Sequence, residues 1–329
     1  MAHTDCRLPA EWERQSATLL AWPPAESDWS DQLASIRDEY RELIAAIVKY
    51  QPVVLLVAPS DVNDSDLPRT GSGLHTIKMP FNDTWCRDFG PITLVGSGQR
   101  LALDFHFNGW GGKHPAALDN RVNTHLSRHS LFARFRFRQY LFELEGGAID
   151  TDGRGRLLVN RHCLRARHPH LSDGEIDHEL HSLLNIDEIV AVDVDPAPGD
   201  DTDGHIDTLA RFVSEDTLVF QLQRDPAQTR RLLGQLEAQR RGDGKPYRLV
   251  ALPCPDDLDV ERPASYTNFL FVNGACLVPA YGSRQDAAAR AVLEPLLPNH
   301  EVIGVPAATM ITQSGGPHCA TMHIPGALG

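Results

Sequence analysis

The segment NFLFVNGACLVPA, residues 268–280, is dense in aromatic and aliphatic side chains and predicts β-structure. Nine shorter runs of the same kind are ATLLAW, PVVLLVA, PITLVG, RLALDFHF, GRLLVN, EIVAVDV, TLVFQ, YRLVALP and EVIGV. Strands therefore outnumber helices, and they are too many for a doubly wound sheet in which strand and helix alternate. The pattern favours a repeated unit with several strands per helix, although no repeat is visible as sequence identity.

Four stretches between these runs predict helices. They cover residues 28–49, 172–184, 226–240 and 284–295. The first has an apolar stripe at three- and four-residue steps, formed by Trp29, Leu33, Ile36, Tyr40, Leu43 and Ile47. The second begins with Ser172 and Glu175 at capping-box spacing, and the third begins with Asp225 before Pro226. The fourth is short and rich in alanine.

The composition is that of a globular chain, long enough for one large core or a ring of small repeated units. Of its 329 residues, 42% are hydrophobic and 23% are charged, without a low-complexity tract. The formal net charge of −13 disfavours nucleic acid, whose phosphates need a basic face, and it would suit a cationic substrate. We therefore expect no nucleic-acid partner.

The sequence shows no export or membrane signal. Its first residues lack a basic stretch followed by a long apolar run, and the runs PVVLLVAP and LIAAIV are much shorter than a membrane span. Six cysteines are scattered singly, without a C-x-x-C pair, which favours free thiols in a reducing compartment. A cytoplasmic protein without a membrane partner is expected.

The stretch GHIDTLARFV places a histidine two residues before an aspartate. If the run after Gly204 is a strand, His205 and Asp207 project from the same face, where an imidazole and a carboxylate could share acid–base chemistry. So short a motif leaves the alternative of a solvated surface histidine beside an aspartate.

Three further segments could hold a planar cation. In NDTWCRDFGP, Asp88 follows Trp85 by three residues and precedes a Gly-Pro turn, so its carboxylate is predicted at a strand end that faces an opening. An indole and a carboxylate together can bind a guanidinium group. In FELEGGAIDTDG, Glu145 precedes two glycines that permit close backbone approach, and in FNGWGGKH glycines surround Trp110. Each segment is also compatible with an ordinary core or turn position.

The segment SGGPHCATMHIP contains the candidate nucleophile Cys319. Glycines such as Gly316 would let a substrate come close to the sulfur, but a cysteine thiol needs help to ionise at neutral pH. His318 would point away on an extended backbone, so His205 is the candidate base. The alternative is that Cys319 is one more small buried residue in a last turn.

Other chemistries have weaker support. His168 and His170 form an H-x-H pair with His178 nearby, as in some metal hydrolases, but this region is better explained by the capped helix that follows Ser172. The acids around Gly204 do not fit a calcium-binding loop. The chain has no G-x-S-x-G, P-loop or G-x-G-x-x-G signature, and we expect no metal site.

Six segments, in chain order, resemble one known family. They are TWCRDFGP, FNGWGGK, LEGGAI, GDDTDGHIDTLARFV, SYTNFLFVNG and SGGPHCAT, and the opening PAEWERQSATLLAWP is similar as well. The set resembles the agmatine deiminase family, grouped with the bacterial-type peptidylarginine deiminases, over nearly the whole chain. The resemblance implies an α/β pentein fold, a five-bladed propeller of pseudo-fivefold ββαβ-type repeats, in a single domain over residues 1–329.

The resemblance also implies guanidine chemistry without a metal or an organic cofactor. Matched position by position, Cys319 is similar to the family's nucleophile and His205 to its general acid and base. Asp88 and Asp207 are similar to the pair that binds the guanidinium group.

The resemblance also implies residues that bind the substrate. Trp85 resembles a wall for the alkyl chain, and Glu145 an acid that orients His205 or the substrate. Trp110 and Gly316 are expected in the same substrate site.

The chain departs from the family pattern around these motifs. The family has a longer glycine run with isoleucine before its His-Cys pair and two glutamines after it, whereas this chain has Pro317, Met322 and His323. The run NRHC also lacks the family's acidic residue before Cys163. These changes affect the end of the pocket that would bind the tail of the substrate. The sequence therefore does not decide between agmatine, a longer guanidine and free arginine.

The resulting prediction is hydrolytic deimination of agmatine to N-carbamoylputrescine and ammonia through a Cys319 thiouronium intermediate. The alternatives are an arginine or peptidylarginine deiminase, an amidinotransferase of the same fold, a catalytically silent pentein that binds cations, and a metal-dependent hydrolase. The expected partner is a small cationic guanidino substrate, and a homodimer is a possible assembly.

Overall fold

The computed structural model describes residues 6–61, 66–69 and 71–326. Within them the strands are β1 (Cys6–Arg7), β2 (Gln15–Ala21), β3 (Val53–Val57), β4 (Leu74–Lys78), β5 (Ile92–Gly96), β6 (Arg100–His106), β7 (Arg136–Glu143), β8 (Ile149–Thr151), β9 (Arg156–Asn160), β10 (Glu188–Val192), β11 (Ala210–Ser214), β12 (Thr217–Gln221), β13 (Arg248–Leu252), β14 (Leu270–Val272), β15 (Ala275–Ala280), β16 (Glu301–Pro306) and β17 (Thr321–Pro325). The helices are α1 (Leu33–Ile47), α2 (Cys86–Phe89), α3 (Gly109–Gly112), α4 (Val122–Leu126), α5 (Arg161–Arg167), α6 (Asp173–Leu184), α7 (Pro226–Ala238) and α8 (Asp286–Leu293).

The strands of the described residues form five small sheets with a common plan. Their orders are β17-β2-β3-β4, β1-β5-β6-β7, β10-β9-β8, β11-β12-β13 and β14-β15-β16. Each sheet contains an antiparallel pair of strands. The second strand of this pair is followed by a helical connection and then by a strand that pairs with it in parallel. The prediction of several strands per helix therefore agrees with the sheet topology.

The first sheet joins distant parts of the chain. Strand β17 pairs antiparallel with β2, with Thr321 opposite Leu20 and Ile324 opposite Ala17. β2 in turn pairs parallel with β3, and the connection between them is α1. Residues on all three strands are buried, so this sheet lies inside the larger hydrophobic core.

The helices form where local signals specify them. α6 has the predicted capping box, because Ser172 accepts from the Glu175 amide while the Glu175 side chain accepts from the Ser172 amide. α7 starts with Pro226 after the N-cap Asp225, as predicted. α1 begins at Leu33, after a short 3₁₀ turn, and five of its six predicted stripe residues are buried, with Leu33 partly buried. Within the described residues, no helix combines the length and apolar character that a membrane span needs.

Two local predictions are wrong in their secondary structure. His205 and Asp207 do not lie on a strand: His205 precedes a 3₁₀ turn over Ile206–Thr208, and β11 starts only at Ala210. The cause is the preceding loop, where Asp203 and Gly204 have positive φ and Thr202 Oγ1 accepts from the His205 amide. This local hydrogen bonding competes with an extended backbone.

Asp88 likewise lies in the short helix α2 and not at a strand end. Its amide donates to the carbonyl of Trp85, and the amide of Gly90 donates to the carbonyl of Cys86, so the chain turns before β5 begins at Ile92. Asp88 does face an opening, as predicted, because it lines a cavity, although its side chain is buried.

Candidate active site

Every sheet supplies a polar residue from the segment just before the first strand of its antiparallel pair. Cys319 precedes β17, Asp88 precedes β5, Glu145 precedes β8, Asp207 precedes β11 and Asn268 precedes β14. Because these segments come from all five sheets, residues separated by as much as 231 positions meet in one place. The repeated plan of the fold thus explains how the site is assembled.

A cavity of about 310 Å³ opens onto two of these residues, Asp88 and Cys319. Its lining residues are Asp28, Asp83, Trp85, Asp88, Trp110, His114, Asp201, Thr202, Thr312, Gln313, Ser314, Gly315 and Cys319. Of these described residues, four are aspartates and none is a lysine or an arginine. Such a lining attracts a cation.

The thiol of Cys319 lies at the buried end of this cavity. Asn268 Nδ2 donates to its Sγ over 3.1 Å, and the thiol donates to Asp207 Oδ2 over 3.6 Å. Burial raises the pKa of Cys319 well above its ordinary range, and the charges of Asp207 and Asp88 raise it further. The Gly316 amide and Asn268 oppose this increase. A cation bound between the carboxylates would therefore favour the thiolate.

Asp207 is fixed by a chain of buried groups behind the thiol. His318 Nδ1 donates to Asp207 Oδ2 over 2.7 Å, and His318 Nε2 lies 2.8 Å from Glu11 Oε2. Burial alone would raise the pKa of Asp207, but the hydrogen bond and charge of His318 bring it below its ordinary range. Among the residues that the structure describes, none donates a hydrogen bond to its buried Oδ1, so this carboxylate keeps one oxygen for a donor.

Asp88 is held by two donors on opposite oxygens. Trp110 Nε1 donates to Oδ2 and the Gly147 amide donates to Oδ1, each over 2.9 Å. Burial raises the pKa of Asp88 to about 6, and His205 works against this increase. Trp110 reaches Asp88 from a left-handed backbone conformation, with φ 56° between glycines of positive φ. This strained turn shows why glycines surround the indole.

His205 is fully buried between two carboxylates. Its Nδ1 lies 3.7 Å from Asp88 Oδ1, and its Nε2 lies 3.9 Å from Glu145 Oε2. Burial by itself would lower the pKa of His205, but Asp88, Cys163 and Glu145 raise it well above its ordinary range. A Cβ on Gly147 would lie 2.5 Å from Nδ1, so a glycine is required for this packing. The two carboxylates thus favour the protonated form of the ring, which is the form that can donate a proton.

The structure separates the other predicted residues into two groups. Trp85 and Trp110 line the cavity, whereas Glu145 and Gly316 lie behind it. Glu145 Oε1 accepts from Arg167 Nε over 2.6 Å, and a Cβ on Gly316 would lie 2.6 Å from Asn268 Oδ1. His318 does point away from the thiol, but toward Asp207 and not toward solvent.

Three residues with clear contacts were not predicted from the sequence: Asn268, Glu11 and Arg167. Asn268 and Glu11 lie inside two segments that resemble the family, SYTNFLFVNG and PAEWERQSATLLAWP. That position was the only indication of a role that the sequence offered for them. Nothing in their residue types indicated a role.

The residues that depart from the family pattern do not line the cavity. Met322 and His323 line a separate small cavity with Glu11 and Arg87. His323 Nδ1 is 3.1 Å from Arg87 Nη1, and burial lowers the pKa of His323 to about 3. The carbonyl of Pro317 accepts from Thr321 Oγ1 over 2.8 Å. The expectation that these changes alter the tail-binding end of the pocket is thus not supported by their positions.

The H-x-H pair, which had only weak support as a metal site, is also separated from this cavity. His168 Nε2 lies 2.8 Å from the carbonyl of Glu143, and its ring stacks on Phe142 at 4.0 Å. Among the described residues, neither His168 nor His170 belongs to a cluster of metal-binding side chains.

Comparison with known proteins places this arrangement in a family. The sequence model of the Porphyromonas-type peptidyl-arginine deiminases matches residues 7–325. The chain belongs to this family. The resemblance inferred from the sequence is thereby confirmed.

Relatives in the family extend over nearly the whole chain. The agmatine deiminase of Pseudomonas aeruginosa is 28% identical over 353 residues, which cover 97% of this chain and 95% of that protein. A C. jejuni agmatine deiminase, solved with substrate bound as a cysteine-to-serine variant, is 33% identical with a TM-score of 0.89 and covers 98% of this chain and 97% of its own. An Enterococcus faecalis agmatine deiminase, 24% identical over 98% of this chain and 96% of its own with a TM-score of 0.90, shares the mixed α/β fold of several small sheets.

Proposed function

We propose that the protein hydrolyses the guanidinium group of agmatine, giving N-carbamoylputrescine and ammonia. The observation that carries the proposal is the buried thiol of Cys319 beside two carboxylates, Asp207 and Asp88, at the end of an acid-lined cavity. A guanidinium carbon is a weak electrophile, and paired carboxylates can hold it against a sulfur nucleophile. Relatives that carry the name agmatine deiminase support the same chemistry.

The reaction proceeds in two halves on the same residues. The Cys319 thiolate adds to the guanidinium carbon, and protonated His205 gives its proton to the departing nitrogen, which leaves as ammonia. The thiouronium that remains is attacked by water as His205 takes up the water proton. The carbon–sulfur bond then breaks as the added hydroxyl gives its proton to solvent, which releases the neutral ureido product and the thiolate. These reaction steps use no metal and no organic cofactor.

The substrate is held along its length. Asp88 and Asp207 bind the guanidinium, Trp85 and Trp110 enclose the alkyl chain, and Glu145 orients His205. Gly316 provides the backbone that faces Asn268 and the sulfur.

The charge of the cavity lining favours agmatine over arginine. Asp28, Asp83 and Asp201 line the cavity together with Asp88. Agmatine ends in an ammonium group, which these acids attract, whereas free arginine adds a carboxylate, which they repel.

The repeated sheets support a pentein propeller with five ββαβ-type blades in a single domain over residues 1–329. The same proposal includes a cytoplasmic location, no nucleic-acid or membrane partner, and a homodimer as a possible assembly. The acidic net charge of −13 supports the exclusion of nucleic acid.

The test is ammonia release from agmatine, free arginine and a blocked peptidyl arginine, with the Cys319→Ser variant as the control. The proposal expects rapid release from agmatine that depends on Cys319. Equal or faster release from arginine would refute the substrate assignment. A new guanidine formed from an added amine, without ammonia, would identify an amidinotransferase. Loss of activity on treatment with a chelator would point to a metal-dependent hydrolase.

A further inference from the structure

A second cluster of reactive side chains lies directly behind the cavity wall. Glu145, Cys163 and His205 each offer one donor atom, and these atoms lie within 4.8 Å of one another. The exposed fractions are 2% for Glu145 and 0% for the other two. The thiol of Cys163 has no part in the proposed deimination, so the cluster calls for a separate explanation.

The donor atoms of this cluster have few partners among the described residues. Glu145 uses Oε1 for Arg167, but its Oε2 has no hydrogen-bond partner. The Cys163 thiol makes one long contact of 3.6 Å to the carbonyl of Thr202 and interacts with His205 closely enough to raise the pKa of the ring. Apart from this thiol, neither ring nitrogen of His205 has a hydrogen-bond partner. Buried polar atoms without partners are costly, and a ligand that satisfies several of them at once is correspondingly favoured.

The donor types specify the ligand. One sulfur, one imidazole nitrogen and one carboxylate oxygen form a set that suits Zn²⁺, and once the thiol has lost its proton two of the three are anionic, which balances a dication. Donors on a tetrahedral zinc ion are roughly 3.4 Å apart. His205 Nε2 and Glu145 Oε2 are 3.9 Å apart, so a small inward movement of the side chains brings them to that spacing.

We propose that Glu145, Cys163 and His205 form a zinc-binding site, and that zinc bound there blocks catalysis. The blocking part rests on the proposed role of His205, because a metal on Nε2 occupies the lone pair that must carry the proton. The binding part does not depend on that role. An open fourth position remains for water, as in zinc sites with three protein ligands.

The cluster lies next to the active-site cavity, and charges of both signs surround it. Thr202 lines the active-site cavity and its carbonyl contacts the Cys163 thiol, so only this wall separates the two sites. Arg167 opposes a cation, but its guanidinium is paired with Glu145 and Asp203, and Asp88 adds a negative charge beside His205.

Zinc and protons compete for the same atoms. Burial raises the pKa of the Cys163 thiol, and the pKa of His205 is also well above its ordinary range, although burial acts on it in the opposite direction. Zinc uptake must therefore release protons, and affinity should rise with pH.

Isothermal titration of ZnCl₂ into the Cys319→Ser variant tests the binding part, because the nucleophile can no longer act as a ligand. We expect one zinc ion per chain. Adding Cys163→Ser should raise the dissociation constant by at least about 10-fold, whereas adding Cys254→Ser, at a half-buried thiol outside the cluster, should leave it unchanged. Equal affinity in all three variants, or no binding to Cys319→Ser, would overturn the site.

Two further measurements separate the parts of the proposal. Co²⁺ in place of zinc should give a thiolate charge-transfer absorption that disappears with Cys163→Ser but persists with Cys254→Ser, and thermal melting without metal should show that all variants are folded. Zinc should inhibit ammonia release by the unmodified protein, reversibly with EDTA. Tight binding at Cys163 without inhibition would overturn the blocking part alone, and a protein inactive on agmatine would still bind zinc if the site is correct.

Discussion

Replacing Asn268 with alanine should slow deimination without unfolding the protein. Asn268 Nδ2 donates to Cys319 Sγ over 3.1 Å and to Asp207 Oδ2 over 3.2 Å. Its Oδ1 accepts from the amides of His318 and Cys319 over 3.1 and 3.3 Å, which fixes the orientation of the side-chain amide. The donor thus points at the sulfur that must become negative.

The size of the effect follows from this bond. A hydrogen bond to a charged partner contributes about 1.5–3 kcal/mol. At about 1.4 kcal/mol per factor of ten, its loss from the reacting thiolate lowers kcat/KM by about 10- to 150-fold. Since Asn268 also lowers the pKa of Cys319, the variant thiol should ionise at higher pH.

The assay combines two readouts. Ammonia release from agmatine gives kcat/KM, and the rate of alkylation by iodoacetamide against pH reports the ionisation of Cys319. The matched control is Asn273→Ala, in the β14–β15 turn, where Asn273 pairs with the backbone of Gln15 and not with the site. A folded Asn268→Ala protein with kcat/KM within about twofold of the unmodified protein, and an unshifted alkylation profile, would refute the reasoning.

Three further outcomes are expected. Cys319→Ser should reduce ammonia release by about 1,000-fold or more, with an unchanged melting temperature; measurable turnover near the normal rate would exclude Cys319 as nucleophile. Gly147→Ala should lower kcat by about 100-fold, because its Cβ would lie 2.5 Å from His205 Nδ1 and 2.9 Å from Asp88 Oδ1. The control Gly174→Ala, with open space around the new methyl group, should keep the normal kcat. Equal kcat values for the two variants would contradict this account of the packing. Because the pKa of Asp88 is raised to about 6 by burial and only the carboxylate binds a cation, kcat/KM should fall about tenfold per pH unit below about 6, and a flat profile down to pH about 5 would speak against this role.

The sequence predicts those elements whose signals are local. The helix caps at Ser172 and Asp225 are made within a few residues of themselves, so α6 and α7 appear where their caps predict them. All ten apolar runs contain strands. The strands β1, β4, β7, β8 and β17 were not predicted, and β7 shows why: it alternates between half-buried and exposed side chains and lacks a continuous apolar run.

The site depends on contacts that no local pattern contains. Its polar residues come from all five sheets, so spacing along the chain does not reveal that Cys319 meets Asn268 or that His205 meets Glu145. The resemblance to a family identified most of the candidate residues. Asn268 was missed because an uncharged amide has no distinctive chemistry until its neighbours are known.

The pairing of β17 with β2 has a consequence for the newly made chain. A ribosome delivers β2 early and β17 late, and Cys319 stands two residues before β17. Until β17 arrives, β2 exposes an unpaired edge whose residues Leu19 and Leu20 are later fully buried, which invites aggregation. The pairing of β17 with β2 therefore covers the exposed apolar edge and brings the reactive sulfur into the site in the same step. An interrupted translation product would be both inactive and easily recognised by the machinery that removes misfolded chains.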